Sequence, residues 1–151
     1  FHSLYKNIAK KVGFNIVNLN ANYPKGLKTH LKDKYRIFTY SDKDKIVAYY
    51  TTILNGDTLE AHFLGFDETT NRTHQVYLNI LYDIINLGIE YKVRETAFSR
   101  TALEIKSSVG AEPEKMYCYV RHKKSMNNKM VPHLIGYLKP NEDWIQRKPF
   151  K

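Results

Sequence analysis

The chain has 151 residues, 42% of them hydrophobic and 13% aromatic, enough to fill one core and too few for two full domains. No stretch approaches the roughly 20 apolar residues of a membrane-spanning helix, so a soluble protein without a span is predicted. Twenty-four Lys and Arg against 15 Asp and Glu give a formal charge of +9 and a pI near 9.5, which turns the surface either to simple solubility or to anionic partners such as phosphates, nucleic acid or acidic lipids.

The sequence opens on Phe1 without a secretion-signal pattern, and we expect a piece of a longer protein. Cys118 stands alone, which excludes an internal disulfide and suits the reducing cytoplasm. The Asn71-Arg72-Thr73 sequon is then coincidental. Leu4, Ile8 and Val12 recur every four residues and predict an amphipathic helix with Lys6, Lys10 and Lys11 toward solvent. Phe14 to Leu19 alternates well enough for a strand, and Tyr23-Pro24 marks a break.

From Tyr35 to Phe66 three runs rich in Tyr, Ile, Val, Thr and Phe (Tyr35–Ser41, Lys45–Leu54, Thr58–Phe66) predict an antiparallel meander, with Asn55-Gly56-Asp57 as a tight turn. Thr73 to Lys92 carries the stripe Val76, Ile80, Ile84 and Leu87 of a helix packed on a sheet. Glu95–Ser99 reads as a short buried central strand. Thr101 and Glu104 form a T-x-x-E capping box for a helix over Ala102–Val109, stopped by Gly110. Lys115–Arg121 alternates as a strand, His122–Met130 reads as a basic connection, and Val131–Leu138 reads as a last strand interrupted by Pro132 and Gly136. Trp144 is expected to pack on the core and Arg147–Lys151 to be an exposed terminus. The order gives one α+β domain over residues 1–151, with helices covering a mixed, mostly antiparallel sheet.

The segment Phe98-Ser-Arg-Thr-Ala-Leu-Glu-Ile-Lys-Ser-Ser-Val-Gly-Ala-Glu-Pro113, with the long helix before it, resembles the Fem-like, GNAT-related acyltransferases. Ser99, Arg100, Lys106, Gly110, Glu112 and Tyr117 carry the likeness. Gly65-Phe66-Asp67 followed by Leu78-Asn79-Ile80-Leu81-Tyr82 resembles the family's passage from strand into long helix, so that the resemblance spans Tyr35 to about Leu138. It implies a GNAT-like domain, alone or as the C-terminal half of a two-domain enzyme. Such an enzyme moves an acyl group from acyl-CoA, or an aminoacyl group from charged tRNA, to an amine on a small molecule or cell-envelope precursor.

The same resemblance nominates Lys106 and Tyr117 for catalysis. Lys106 would face a donor phosphate or the tetrahedral oxyanion, and Tyr117 would protonate a departing thiolate. Arg72, Ser99, Arg100 and Thr101 are nominated for the cofactor. One departure stands out: Glu68–His74, where GNAT enzymes carry a glycine-rich pyrophosphate loop, has no glycine. Arg72 there is either a phosphate-binding charge or part of a polar helix start without a ligand.

An acceptor base is needed, with Glu60, Glu112, His62 and Tyr117 as candidates and Glu104 occupied by its cap. Six histidines without tight ligand spacing and one Cys predict no metal site. His62 and His133 are expected to be structural, and Cys118 a small buried hydrophobe. A noncatalytic module that holds tRNA or another anionic polymer through Arg121-His122-Lys123-Lys124 is the competing reading, and a degenerate domain kept for structure is a third. Oligomeric state is not encoded in any feature of the sequence.

Overall fold

The computed structural model describes residues 1–10, 18–117, 119–138 and 143–150, in two compact units, Phe1–Thr101 and Ala102–Lys151. In the first unit the predicted meander is present as β1 (Tyr35–Asp42), β2 (Lys45–Asn55) and β3 (Thr58–Phe66), each antiparallel to the next. Gly56 takes the positive φ of 62° that the β2–β3 turn requires, while Asn55 stays in the strand opposite Thr58. A fourth strand, β4 (Glu95–Ala97), pairs in parallel with β3 and gives the order β1-β2-β3-β4. β4 therefore lies at the sheet edge among the described residues, not at its centre as the sequence suggested. Asp57 at the hairpin tip fixes its start, accepting from the Arg94 backbone N–H at 2.8 Å and its guanidinium at 2.9 Å.

Helices cover both faces of β2, which is why Val47 to Thr52 are all buried rather than alternating. On one face α4 (Val76–Glu90) sets Val76, Ile80 and Ile84 against Ala48, Tyr50 and Leu59. On the other, α1 (His2–Ala9) sets Leu4 and Tyr5 against Tyr49, with Phe63 and Leu19 alongside. The approach of α1 is close. A Cβ on Gly65 would lie 2.7 Å from the backbone of Leu4 and Tyr5 and 2.6 Å from the Tyr49 ring. Gly65→Ala should push α1 off β3 and lower stability by about 1–3 kcal/mol, read as a lower urea midpoint. An unchanged midpoint would mean that α1 does not depend on that contact.

Several expectations are corrected. Tyr23-Pro24 does not break the chain but starts α2 (Tyr23–Leu31), with Pro24 in the first turn, where its missing N–H costs nothing. A 3-10 turn, Lys32–Lys34, then leads into β1. The predicted long helix from Thr73 is divided at Gln75, which takes φ 49°, into α3 (Glu68–His74) and α4. Of the predicted strand Phe14–Leu19, residues 14–17 lie outside the described residues, as do 11 and 12 of the first predicted helix.

In the second unit α5 (Leu103–Ser107) is shorter than expected. Ala102, not Thr101, is its N-cap, in the left-handed conformation and without a side-chain cap bond. Gly110 does supply the positive φ, 88°, predicted for the stop. Residues 115–117 and 119–121 form no strand and are exposed, because alternation makes a strand only where a neighbouring strand takes up its backbone bonds. The predicted last strand is helical: α6 (Ser125–Leu138) contains Pro132 and follows a turn in which His122 Nδ1 accepts the Lys124 N–H at 3.0 Å.

Candidate active site

Pairing between β3 and β4 covers only Thr58–Glu95, Leu59–Thr96 and Glu60–Ala97. β3 runs on from Ala61 to Phe66 with no strand beside that edge among the described residues. The sheet thus opens where the two parallel strands part, and the outward backbone N–H and C=O groups of β3 can bind an extended, amide-bearing ligand arm.

A bulge lies within this stretch. Tyr50 pairs with Leu64 and Thr52 with Ala61, so Thr51 alone faces both His62 and Phe63. Its hydroxyl replaces the interrupted ladder, donating to Phe63 O and accepting from Phe63 N, each at 3.0 Å. The bulge directs His62 against α2, where Nε2 lies 3.1 Å from the Tyr23 hydroxyl. Nδ1 lies 3.3 Å from Thr51 Oγ1, and the Tyr35 and Phe63 rings meet the imidazole edge-on. Burial lowers the His62 pKa, partly opposed by the Glu60 carboxylate. The histidine read as structural thus sits at the opening of the sheet, two residues past the last parallel pair.

The glycine-free passage after β3 folds as a helical turn rather than an open cradle. Asp67 caps α3, its Oδ1 accepting from Thr70 N at 3.0 Å and Thr70 Oγ1 at 3.1 Å, and these bonds hold the carboxyl below its ordinary pKa. Asn71 Oδ1 takes the Tyr77 N–H in the first turn of α4. A pyrophosphate does not fit here, since a carboxylate and an amide oxygen already hold donors that would receive it. Arg72 pairs with Glu68 at 3.5 Å, and its side chain is 77% exposed.

In the second unit Lys106 is only 5% exposed, and burial pushes its ammonium pKa from 10.5 down to about 8. Residues 147–150 are exposed, as read from the sequence, and they also touch the helix that carries Lys106. Arg147 pairs with Glu104 at 2.7 Å, and its backbone N–H donates to Ser107 Oγ at 2.9 Å. The Phe150 ring packs so close to Gly110 that a Cβ there would lie 2.4 Å from it. Glu104 therefore serves Arg147, a long-range pair with no local sequence signal.

Because the unfolded chain holds the Lys106 proton more tightly than the folded one, wild-type stability should rise as pH increases from about 8 toward 10.5. At pH 7 the buried, mostly protonated lysine is a cost. Lys106→Met, which has no proton to lose, should flatten the rise, so that its thermal midpoint falls relative to wild type between pH 8 and 10. A pH-independent difference would contradict the buried ammonium.

Of the remaining nominated residues, Ser99, Arg100 and Thr101 lie exposed in the bend after β4. Tyr117 is 70% exposed, with the Lys115 ammonium 5.4 Å from its ring centre. Tyr23 was missed, although a proline just inside a helix start was a readable signal. Among the described residues no group of three or more His, Cys, Asp or Glu is placed to hold a metal ion, and no helix is long and apolar enough to cross a membrane.

The fold, a mixed, mostly antiparallel sheet flanked by helices, is GNAT-like and is shared with solved structures of acetyltransferases. An aminoglycoside acetyltransferase from an uncultured soil metagenomic sample, solved with sisomicin, is similar at a TM-score of 0.59 and 16% identity, covering 80% of this chain and 85% of its own. A possible acetyltransferase from Clostridium difficile 630 is similar at 0.56 and 19%, covering 80% and 90%. A protein from Bacillus halodurans gives 0.54 and 18%, covering 80% and 86%. No protein-family model matches the chain, and no curated protein does.

Proposed function

We propose that the chain is an N-acyltransferase that moves an acyl group from an activated donor to an amine on a small molecule. The observation that carries this reading is the open edge of β3 beyond its three-residue parallel pairing with β4, in a fold shared with acetyltransferases. An extended acyl arm fits that edge through backbone hydrogen bonds. An aminoglycoside acetyltransferase among the similar structures supports a small amine-bearing acceptor.

Acyl-CoA remains the first donor to test, because its amide-bearing arm suits the edge. The start of α3 does not suit its pyrophosphate, so Arg72 and Arg100 are left to meet donor phosphate from exposed positions, with Ser99 and Thr101 as polar contacts. Lys106 is assigned the negative charge of the donor phosphate or of the tetrahedral oxyanion. Tyr117 is assigned the proton for the leaving group. The roles of Lys106, Arg100 and their neighbours rest on the Fem-like resemblance of the Phe98–Pro113 segment, that of Arg72 on its charge where the glycine-rich loop is missing, and that of Tyr117 on the chemistry of a departing thiolate, while the further proposal of a cytoplasmic enzyme rests on the lone Cys118.

Calorimetry with acetyl-CoA tests the donor. Binding that weakens in the Arg100→Ala variant supports the assignment. No binding to the wild-type chain would turn the search to other acyl donors, charged tRNA among them.

A further inference from the structure

We propose that Tyr23 and His62 form the proton-accepting pair for the acceptor amine, with Tyr23 taking the amine proton, His62 Nε2 taking the phenolic proton, and Thr51 fixing the imidazole. The proposal rests on the N-acyl-transfer reading and adds to it the base that no single sequence feature identified.

Hydrogen-bond accounting sets the direction of transfer. A threonine hydroxyl has one proton to give. Thr51 gives it to Phe63 O and accepts from Phe63 N; its hydroxyl also bonds the Tyr35 side chain, and with the Thr51 proton held by Phe63 O the contact to His62 is assigned as one in which Nδ1–H donates. The neutral imidazole then carries its proton on Nδ1 and presents the Nε2 lone pair to the Tyr23 hydroxyl, which donates to it.

The position agrees with this role. The bulge places His62 just past Glu60, the last β3 residue paired with β4, so the pair lies where the sheet opens. Tyr23 is held at the start of α2, where Asn20 Oδ1 accepts the Asn22 N–H and Pro24 fixes the first turn. Both rings are half-buried, leaving them within reach of a ligand. The titratable and charged groups around the imidazole are Tyr23 on α2, Tyr35 on β1 and Glu60 on β3. The Lys28 ammonium is committed nearby to Tyr35 O.

The step balances. As the amine nitrogen bonds to the acyl carbon, its proton passes to Tyr23 Oη and the phenolic proton to His62 Nε2. The bond from the acyl carbon to the leaving group breaks with its electron pair, and the imidazolium later yields its proton to water. Thr51 accepts Nδ1–H in both states, so only Nε2 changes.

Two readouts test the pair. Long-range ¹⁵N NMR of the wild-type chain should show neutral His62 as the Nδ1–H form; an Nε2–H form would overturn the proposal whether or not the chain turns over. The second is the pH–rate profile with acetyl-CoA and a panel of small primary amines that includes an aminoglycoside. Tyr23→Phe, which keeps the ring packing, and His62→Gln should each lower kcat/KM for the amine by about 100-fold and remove the acidic limb. Turnover in Tyr23→Phe within two-fold of wild type, with the same profile, would overturn the pair while leaving the acyl-transfer reading intact. A wild-type chain that acylates no amine would overturn the acyl-transfer reading itself, and the NMR result would still report the tautomer.

Discussion

Lys106→Ala is expected to lower kcat for acyl transfer by about 10²–10³-fold. A positive charge aimed at a developing oxyanion in a water-poor site contributes on this scale, and Lys106 is nearly withdrawn from solvent. The kinetic pattern separates its two assigned roles. Contact with the oxyanion alone lowers kcat and kcat/KM together, whereas contact with a donor phosphate raises KM for the donor. Lys106→Arg should recover part of the rate. Because Lys106→Ala also leaves a cavity where a nearly buried side chain stood, circular dichroism must show the inactive protein folded before the loss is read as chemistry. Activity within three-fold of wild type would remove Lys106 from the chemistry.

Ile80→Ala is the substitution expected to harm the fold most. Ile80 is fully buried among Ala48, Tyr50, Leu59, Val76 and Ile84, in the layer that joins α4 to the sheet. Deleting three carbons there forfeits their transfer energy and leaves a cavity, at a cost of about 2–5 kcal/mol. That is a large share of the roughly 5–15 kcal/mol that holds a typical domain together. Urea unfolding should show a lower midpoint with an unchanged slope. Ile89→Ala on the same helix is the control: Ile89 is 70% exposed, and its loss should move stability by no more than about 0.5 kcal/mol. Equal effects at the two positions would contradict the packing described.

The parts of the fold that were legible in the sequence are those whose signal is local. Tyr35 to Phe66 has strand-forming residues on both sides of a turn that needs Gly56. The stripe Val76, Ile80, Ile84 shows which face of α4 meets the sheet. Lys115–Arg121 carries the same kind of alternation as β1, yet its described residues find no partner strand among the described residues, and pairing is a property of the neighbour. In α6 the four-residue spacing of Met126, Met130 and Leu134 was hidden behind a basic run at its start and behind Pro132 and Gly136, which read as strand interruptions.

The candidate residues divide in the same way. Lys106, Arg100 and their neighbours were visible because they lie within one contiguous segment that resembles a family. The His62 arrangement was not, because it needs a bulge on β3, a hydroxyl on β2 and a phenol on α2, separated by 39 residues between Tyr23 and His62. Arg147 escaped for the same reason, its partner Glu104 lying 43 residues away. Sequence spacing did foresee the missing glycines of Glu68–His74, and the structure adds what stands in their place: a helical turn capped by Asp67.

The most direct test of N-acyl transfer is to incubate the chain with acetyl-CoA and a panel of small primary amines, aminoglycosides included, and to search for acetylated product by mass spectrometry. An amine heavier by one acetyl group, formed by wild type and lost with Lys106→Ala, is the predicted result. Absence of any acetylated amine with the wild-type chain, or equal product from the Lys106→Ala protein, would contradict the account.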